Sequence, residues 1–63
     1  MKNNIEAILQ KQDLSINQLS KMTDMDYAAI YRLVHRRDLS NTQITTLARV
    51  AKALKVDVED LYK

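Results

Sequence analysis

Apolar residues in this chain recur three and four positions apart, and each such run follows a polar residue of the kind that opens a helix. The clearest start is Leu14-Ser15-Ile16-Asn17-Gln18-Leu19. Ser15 with Gln18 three positions on makes a capping box, and Leu14 with Leu19 brackets it as a hydrophobic staple. Leu39, Ser40, Gln43 and Ile44 repeat the arrangement, so another helix is expected from Ser40, with Thr42 as the alternative cap. Met25, Asp26 and Ile30 give a cap and staple without the box, as do Val56, Asp57 and Leu61; Asn3 with Glu6 is a fainter box. These starts predict five short helices, over about 4–12, 16–22, 27–36, 41–54 and 58–62. Their inner faces should carry Ile5, Ile8 and Leu9, then Leu19 and Met22, then Ile30, Leu33 and Val34, then Ile44, Leu47, Ala48, Ala51 and Leu54. The three methionines read as packing filler.

Composition narrows the fold class to all-α. The 63 residues include no Gly, Pro, Cys, Trp or Phe, whereas an average chain of this length holds about four Gly and three Pro. Hairpin and sheet turns lean on those residues for positive or fixed φ. Disulfides, thiolate metal sites, cysteine nucleophiles and glycine-loop phosphate cradles are excluded with them. One domain over residues 1–63, with a thin core, is what this length allows. No apolar run approaches the roughly 18 residues of a membrane span, and the N-terminal residues lack an apolar signal-peptide segment, so a soluble, cytoplasmic chain is expected.

Charge is unevenly distributed. The net charge is only +2, but Tyr27 to Val56 holds six bases (Arg32, Arg36, Arg37, Arg49, Lys52, Lys55) and one acid, Asp38. That stretch carries +5, and the remainder −3. Such asymmetry in so small a chain suits one face to an anionic partner, because cations placed against phosphates release counterions.

Within that stretch the third helix is informative. At roughly 100° per residue, Ala29, Ile30, Leu33 and Val34 form one arc and turn inward, leaving Tyr27, Ala28, Tyr31, Arg32 and His35 on the other. No acid interrupts the outer arc. A major groove admits one helix, Arg can donate two hydrogen bonds to the O6 and N7 of guanine, and a small residue suits close approach to a thymine methyl. A plainer alternative makes Tyr27 and Tyr31 an i, i+4 pair shielding the backbone and Arg32 a solvated charge. Only Thr23, Asp24 and Met25 separate the second helix from Asp26, which forces a sharp corner of helix-turn-helix type.

The run Leu14-Ser15-Ile16-Asn17-Gln18-Leu19-Ser20, then Met25-Asp26, Ile30 and Leu33, and later Leu47, Ala51-Lys52-Ala53-Leu54-Lys55-Val56 and Leu61, resembles the lambda-repressor/Cro-like (Xre) helix-turn-helix family along nearly the whole chain. The resemblance implies a compact five-helix DNA-binding domain with the helix-turn-helix at helices 2 and 3, commonly found in prokaryotic or phage transcription regulators. It places Tyr27, Ala28 and Arg32 at base-reading positions with Ala29 and Tyr31 beside them, and His35 and Arg37 at phosphate positions. Arg36, Asn17 and the loop Ser40, Asn41 and Thr42 complete the expected phosphate-contacting set. Departures from the family pattern include Ile16 where a phosphate-gripping Gln is frequent, with Asn17 as its substitute. Asp24 stands at the turn's usual Gly, Ser20 at a small Ala, and Val34 and Arg36 at the Glu and Gly that often follow the third helix.

Other chemistry finds little support. One His, no Cys and scattered carboxylates cannot supply the three or four ligands of a zinc site. Ser15, Ser20 and Ser40 are accounted for as caps or helix residues, and Glu59 and Asp60 suit the first turn of the last helix. The expectation is a non-enzymatic, cofactor-free regulator, in its simplest form a repressor. Its partner is double-stranded DNA bearing a near-palindromic operator, met by a homodimer at least on DNA. The dimer surface is expected around Lys55 to Tyr62, where Val58 and Tyr62 are apolar. The rival reading is a protein-interaction module of the same fold, an antitoxin or regulatory adaptor, with Tyr27 and Tyr31 as interface anchors.

Overall fold

The computed structural model describes residues 2–63. Its helices are α1 (Ile5–Lys11), α2 (Ile16–Thr23), α3 (Tyr27–Val34) and α4 (Ile44–Leu54), followed by a single 3-10 turn, Val58–Leu61, with no strand among the described residues. The capping box before α2 forms as its spacing requires: Gln18 N–H donates to Ser15 Oγ (3.1 Å) and Ser15 N–H to Gln18 Oε1 (2.8 Å). Asp26 stands at the N-cap of α3 in extended conformation, without a side-chain cap bond.

Three exits share one geometry. Asp13 after α1, Asp24 after α2 and Lys55 after α4 have φ of 58°, 58° and 60°. Beyond each, an apolar residue's N–H reaches back five positions: Leu14 to Leu9 O (2.9 Å), Met25 to Ser20 O (3.1 Å), Val56 to Ala51 O (3.0 Å). These are Schellman closures made without glycine, and Leu14, Met25 and Val56 each pack against the core as that motif favours. Of the three left-handed residues, only Asp24 stands where the resemblance places a Gly.

The core draws on every helix. Ile5 and Leu9 of α1, Leu19 of α2, Ile30, Leu33 and Val34 of α3, Leu47, Val50, Ala51 and Leu54 of α4, and Leu39 and Leu61 outside them are buried in one cluster. Burying a side chain of this size stabilises by about 1.5–3 kcal/mol. Side-chain amides of the N-terminal segment stitch the chain ends together. Asn4 Nδ2 donates to Lys63 O (2.7 Å), Asn4 N–H to Leu61 O (2.8 Å), and Gln12 Nε2 to Leu54 O (2.8 Å) at the end of α4.

Several sequence expectations need correction. The fifth helix is only the 3-10 turn, because four residues between Asp57 and Tyr62 allow i→i+3 bonds such as Asp60 N–H to Asp57 O (3.0 Å) and no sustained α-helix. Here Asp60 caps Asp57 N–H (3.0 Å) and Glu59 pairs with Lys63 (3.4 Å). The fourth helix opens at Ile44 behind Gln43, not at Ser40. Both donors of Ser40 turn back to Asp38 Oδ1, N–H at 2.8 Å and Oγ at 2.6 Å, so the second capping box does not form. The helix buries 47, 50, 51 and 54, leaving Ile44 64% exposed and Ala48 on the outside. In α2 the inward partner of Leu19 is Thr23, whose hydroxyl donates to Leu19 O (2.8 Å), while Met22 is 47% exposed, off the buried arc. Met25 packs against the core, and Met1 lies outside the described residues. The third helix stops at Val34, with His35 as its C-cap.

Candidate nucleic-acid interface

α3 is fixed by Ile30, Leu33 and Val34 on its inner face, and this decides what it presents outward. Tyr27 (51% exposed), Ala28, Tyr31 (49% exposed) and Arg32 face solvent together. Ala29 is half-buried at the edge of that surface. The Tyr27 and Tyr31 rings stack with centroids 6.2 Å apart, and the His35 ring lies 4.4 Å from Tyr31, tilted by 54°. One aromatic row therefore runs the length of the helix. It is too far from ideal face-to-face contact to be a rigid stack, and it leaves the ring edges and hydroxyls accessible.

The corner before α3 is built by local chemistry. Asp24 takes the left-handed conformation with N–H bonds to Lys21 O and Ser20 O. Ser20, at the position of the family's small Ala, donates its hydroxyl to Met25 O (2.5 Å) while its carbonyl accepts Met25 N–H (3.1 Å). Two bonds across five residues fix the angle between α2 and α3, which also pack directly against one another.

Beside α3 runs an open groove of ≈ 260 Å³ lined by Met25, Ala29, Arg32, Leu33, Arg36, Asn41, Thr42, Gln43 and Thr46. It brings Ala29, Arg32, Arg36, Asn41 and Thr42 of the expected set together. Arg36 Nη1 donates to Thr42 Oγ1 (3.1 Å), tying the exit of α3 to the loop before α4. His35 lies apart from this groove, its Nδ1 3.9 Å from Glu6 Oε2 of α1. Asn17 is exposed on α2, Arg37 is exposed beyond α3, and Ser40 is held by Asp38. Gln43, Thr46 and, in an adjoining groove, Thr45 and Arg49 belong to the same surface and were missed. Gln43 was hidden because its spacing from Ser40 reads as a capping box. For Arg49 the net positive charge of the segment was the only signal.

Two grooves lined by Arg, Thr, Asn and Gln, flanking a short helix with an uninterrupted polar and aromatic outer face, can donate many hydrogen bonds to an anionic polymer. Among the described residues no group of three or more His, Cys, Asp or Glu could hold a metal ion, and no helix is long and apolar enough to cross a membrane.

The family model of the Cro/C1-type helix-turn-helix DNA-binding domain matches residues 4–63. The chain belongs to this family. The chain is also 36% identical over 61 residues to the SPbeta prophage-derived uncharacterized HTH-type transcriptional regulator YopS of Bacillus subtilis (strain 168), over 94% of this chain and 78% of that protein. No solved structure matches this chain.

Proposed function

We propose that the chain is a sequence-specific double-stranded DNA-binding transcription regulator, acting in the cytoplasm of a bacterial or phage-infected cell and most simply as a repressor that blocks promoter access. The observation that carries this reading is the joint exposure of Tyr27, Ala28, Tyr31 and Arg32 on a helix whose opposite face is locked into the core. Eight residues at 1.5 Å each make α3 about 12 Å long, comparable to the width of a major groove. Tyr27, Ala28, Ala29, Tyr31 and Arg32 read bases. Asn17, His35, Arg36, Arg37, Ser40, Asn41 and Thr42 face the backbone, Ser40 by exchanging its bonds to Asp38 for phosphate.

One eight-residue helix makes few contacts. Two copies on a near-palindromic operator, with half-sites about 34–36 Å apart, supply the missing affinity and specificity. Val58 and Tyr62, assigned to the dimer surface, are half-buried against the core and offer only their outer edges.

Selection from random duplex oligonucleotides tests the proposal. The expected outcome is a palindromic motif bound with a log–log salt slope of about −0.9 per neutralised phosphate. The stacked, half-exposed Tyr27 and Tyr31 also favour a second reading, a module for a protein partner. No enriched motif, together with a nearly flat salt response, would decide for it.

A further inference from the structure

α3 ends differently from the other three α-helices among the described residues. They close through a left-handed residue and a Schellman bond, whereas His35 has φ −94° and the exit runs on toward Arg36 without that closure. Arg36 N–H reaches Leu33 O at 3.3 Å, and the carbonyls at this end call for further donors. One side chain from far away takes them: Asn3 Nδ2 lies 3.0 Å from Leu33 O, 3.2 Å from Val34 O and 2.7 Å from Arg36 O. Its Oδ1 meanwhile accepts Ile5 N–H (3.0 Å), anchoring the same residue to the first turn of α1. Asn3 is thus a C-cap supplied in space, with its donor end on α3 and its acceptor end on α1.

From this geometry we infer that Asn3, which stands outside the elements assigned to DNA, is a positioning residue that sets the path of the chain leaving α3. It thereby aims the phosphate-contacting residues His35, Arg36 and Arg37. The assignment rests on the DNA reading above. The chain leaves α3 through three arginine- and histidine-bearing positions in succession, and no glycine or proline fixes its direction. Asn3 holds the carbonyls on either side of His35. The Arg36–Thr42 bond then closes the loop, and Glu6 flanks His35 from the same turn of α1. Withdrawing the amide frees the backbone at residues 33–36, and the guanidinium groups just beyond lose their fixed placement against a duplex.

Gln12 supplies the control. Its Nε2 caps Leu54 O (2.8 Å) at the end of α4, a bond of the same chemistry remote from α3. Asn3→Ala and Gln12→Ala in the full chain should each lower the thermal midpoint, by roughly 5 °C. At a temperature where all variants are folded, Asn3→Ala should lose about three- to tenfold in affinity for the selected operator. Its salt slope should shrink by about one for each arginine displaced. Gln12→Ala should match the wild type in both. Asn3→Ser retains an oxygen for Ile5 N–H but is too short to span to α3; it should bind like Asn3→Ala, and it carries the test if the alanine variant does not fold. Operator binding by Asn3→Ala or Asn3→Ser indistinguishable from that of Gln12→Ala overturns the assignment while leaving the DNA reading intact. A wild-type chain that enriches no duplex defeats the DNA reading, and this assignment with it, before any substitution is made.

Discussion

Lys55→Gly should stabilise the domain. Lys55 sits at φ 60°, ψ 41° in the exit of α4, where the β-carbon of an L-residue crowds the following carbonyl. That crowding costs roughly 1–2 kcal/mol. Glycine removes it but adds conformational freedom to the unfolded chain, which offsets roughly 0.5–1 kcal/mol. The side chain is exposed, so little packing is lost. The net gain is about 0.5–1 kcal/mol, or some 2–8 °C in a domain of this size. Asp24, at the nearly identical φ 58°, ψ 35°, should gain less from Asp24→Gly, because its short polar side chain tolerates the left-handed region. Lys55→Ala separates backbone strain from charge: it keeps the β-carbon, removes the ammonium, and should leave stability within about 0.5 kcal/mol of the wild type. Urea unfolding followed by circular dichroism reads all three, with unchanged slopes against denaturant showing that the extent of unfolding is the same. Two results would refute the reasoning: a Lys55→Gly variant no more stable than the wild type, or one that Lys55→Ala equals.

Arg32→Ala should cost about 1–3 kcal/mol in operator binding and relax preference at one base position; uniform weakening across sequences in a binding selection would move Arg32 to the phosphate set. Arg37→Ala should weaken all duplexes alike and reduce the salt slope by about one, and an unchanged slope removes Arg37 from the backbone contacts. Asp38→Asn retains an oxygen for Ser40 N–H and removes the sole acid between Tyr27 and Val56, so non-specific affinity at low salt should rise about threefold. Titration with a random duplex measures the change, and equal or weaker binding would place Asp38 away from the DNA.

Much of this architecture was legible because the decisive interactions are local. The Ser15–Gln18 box needs four consecutive residues, so the start of α2 could be placed from spacing alone. The three-residue corner before α3 followed from the close succession of apolar runs, and with it the outward row of Tyr27, Ala28, Tyr31 and Arg32. The second box misled because Ser40 had a nearer competitor. Asp38 Oδ1 captures both its donors two residues away, a bond that forms without fixing a helical turn. The helix begins at Ile44, Gln43 lies on the groove before it, and the buried arc runs through Leu47, Val50, Ala51 and Leu54, leaving Ile44 and Ala48 outside. Nothing local marks Lys55 as left-handed, since the long side chain carries no preference for that region; the Ala51–Val56 closure imposes it.

The absence of glycine organises the remainder. With glycine, a helix can end in the left-handed region at little cost. Without it, this chain accepts the strain at three exits, where Leu14, Met25 and Val56 gain burial in compensation. At the fourth it does otherwise. A closure after α3 would turn the chain sharply and bury an apolar residue in the place where Arg36 and Arg37 now stand exposed. The cationic exit and the Schellman closure are therefore incompatible at that position. Beside the local bond from Arg36 N–H to Leu33 O, the carbonyls at this exit are satisfied from the opposite end of the sequence, by the Asn3 amide. Asn3 lies 30 residues from Leu33, which is why no pattern along the chain announced it, and the one α-helix exit among the described residues that lacks a Schellman closure is the one at the surface assigned to DNA.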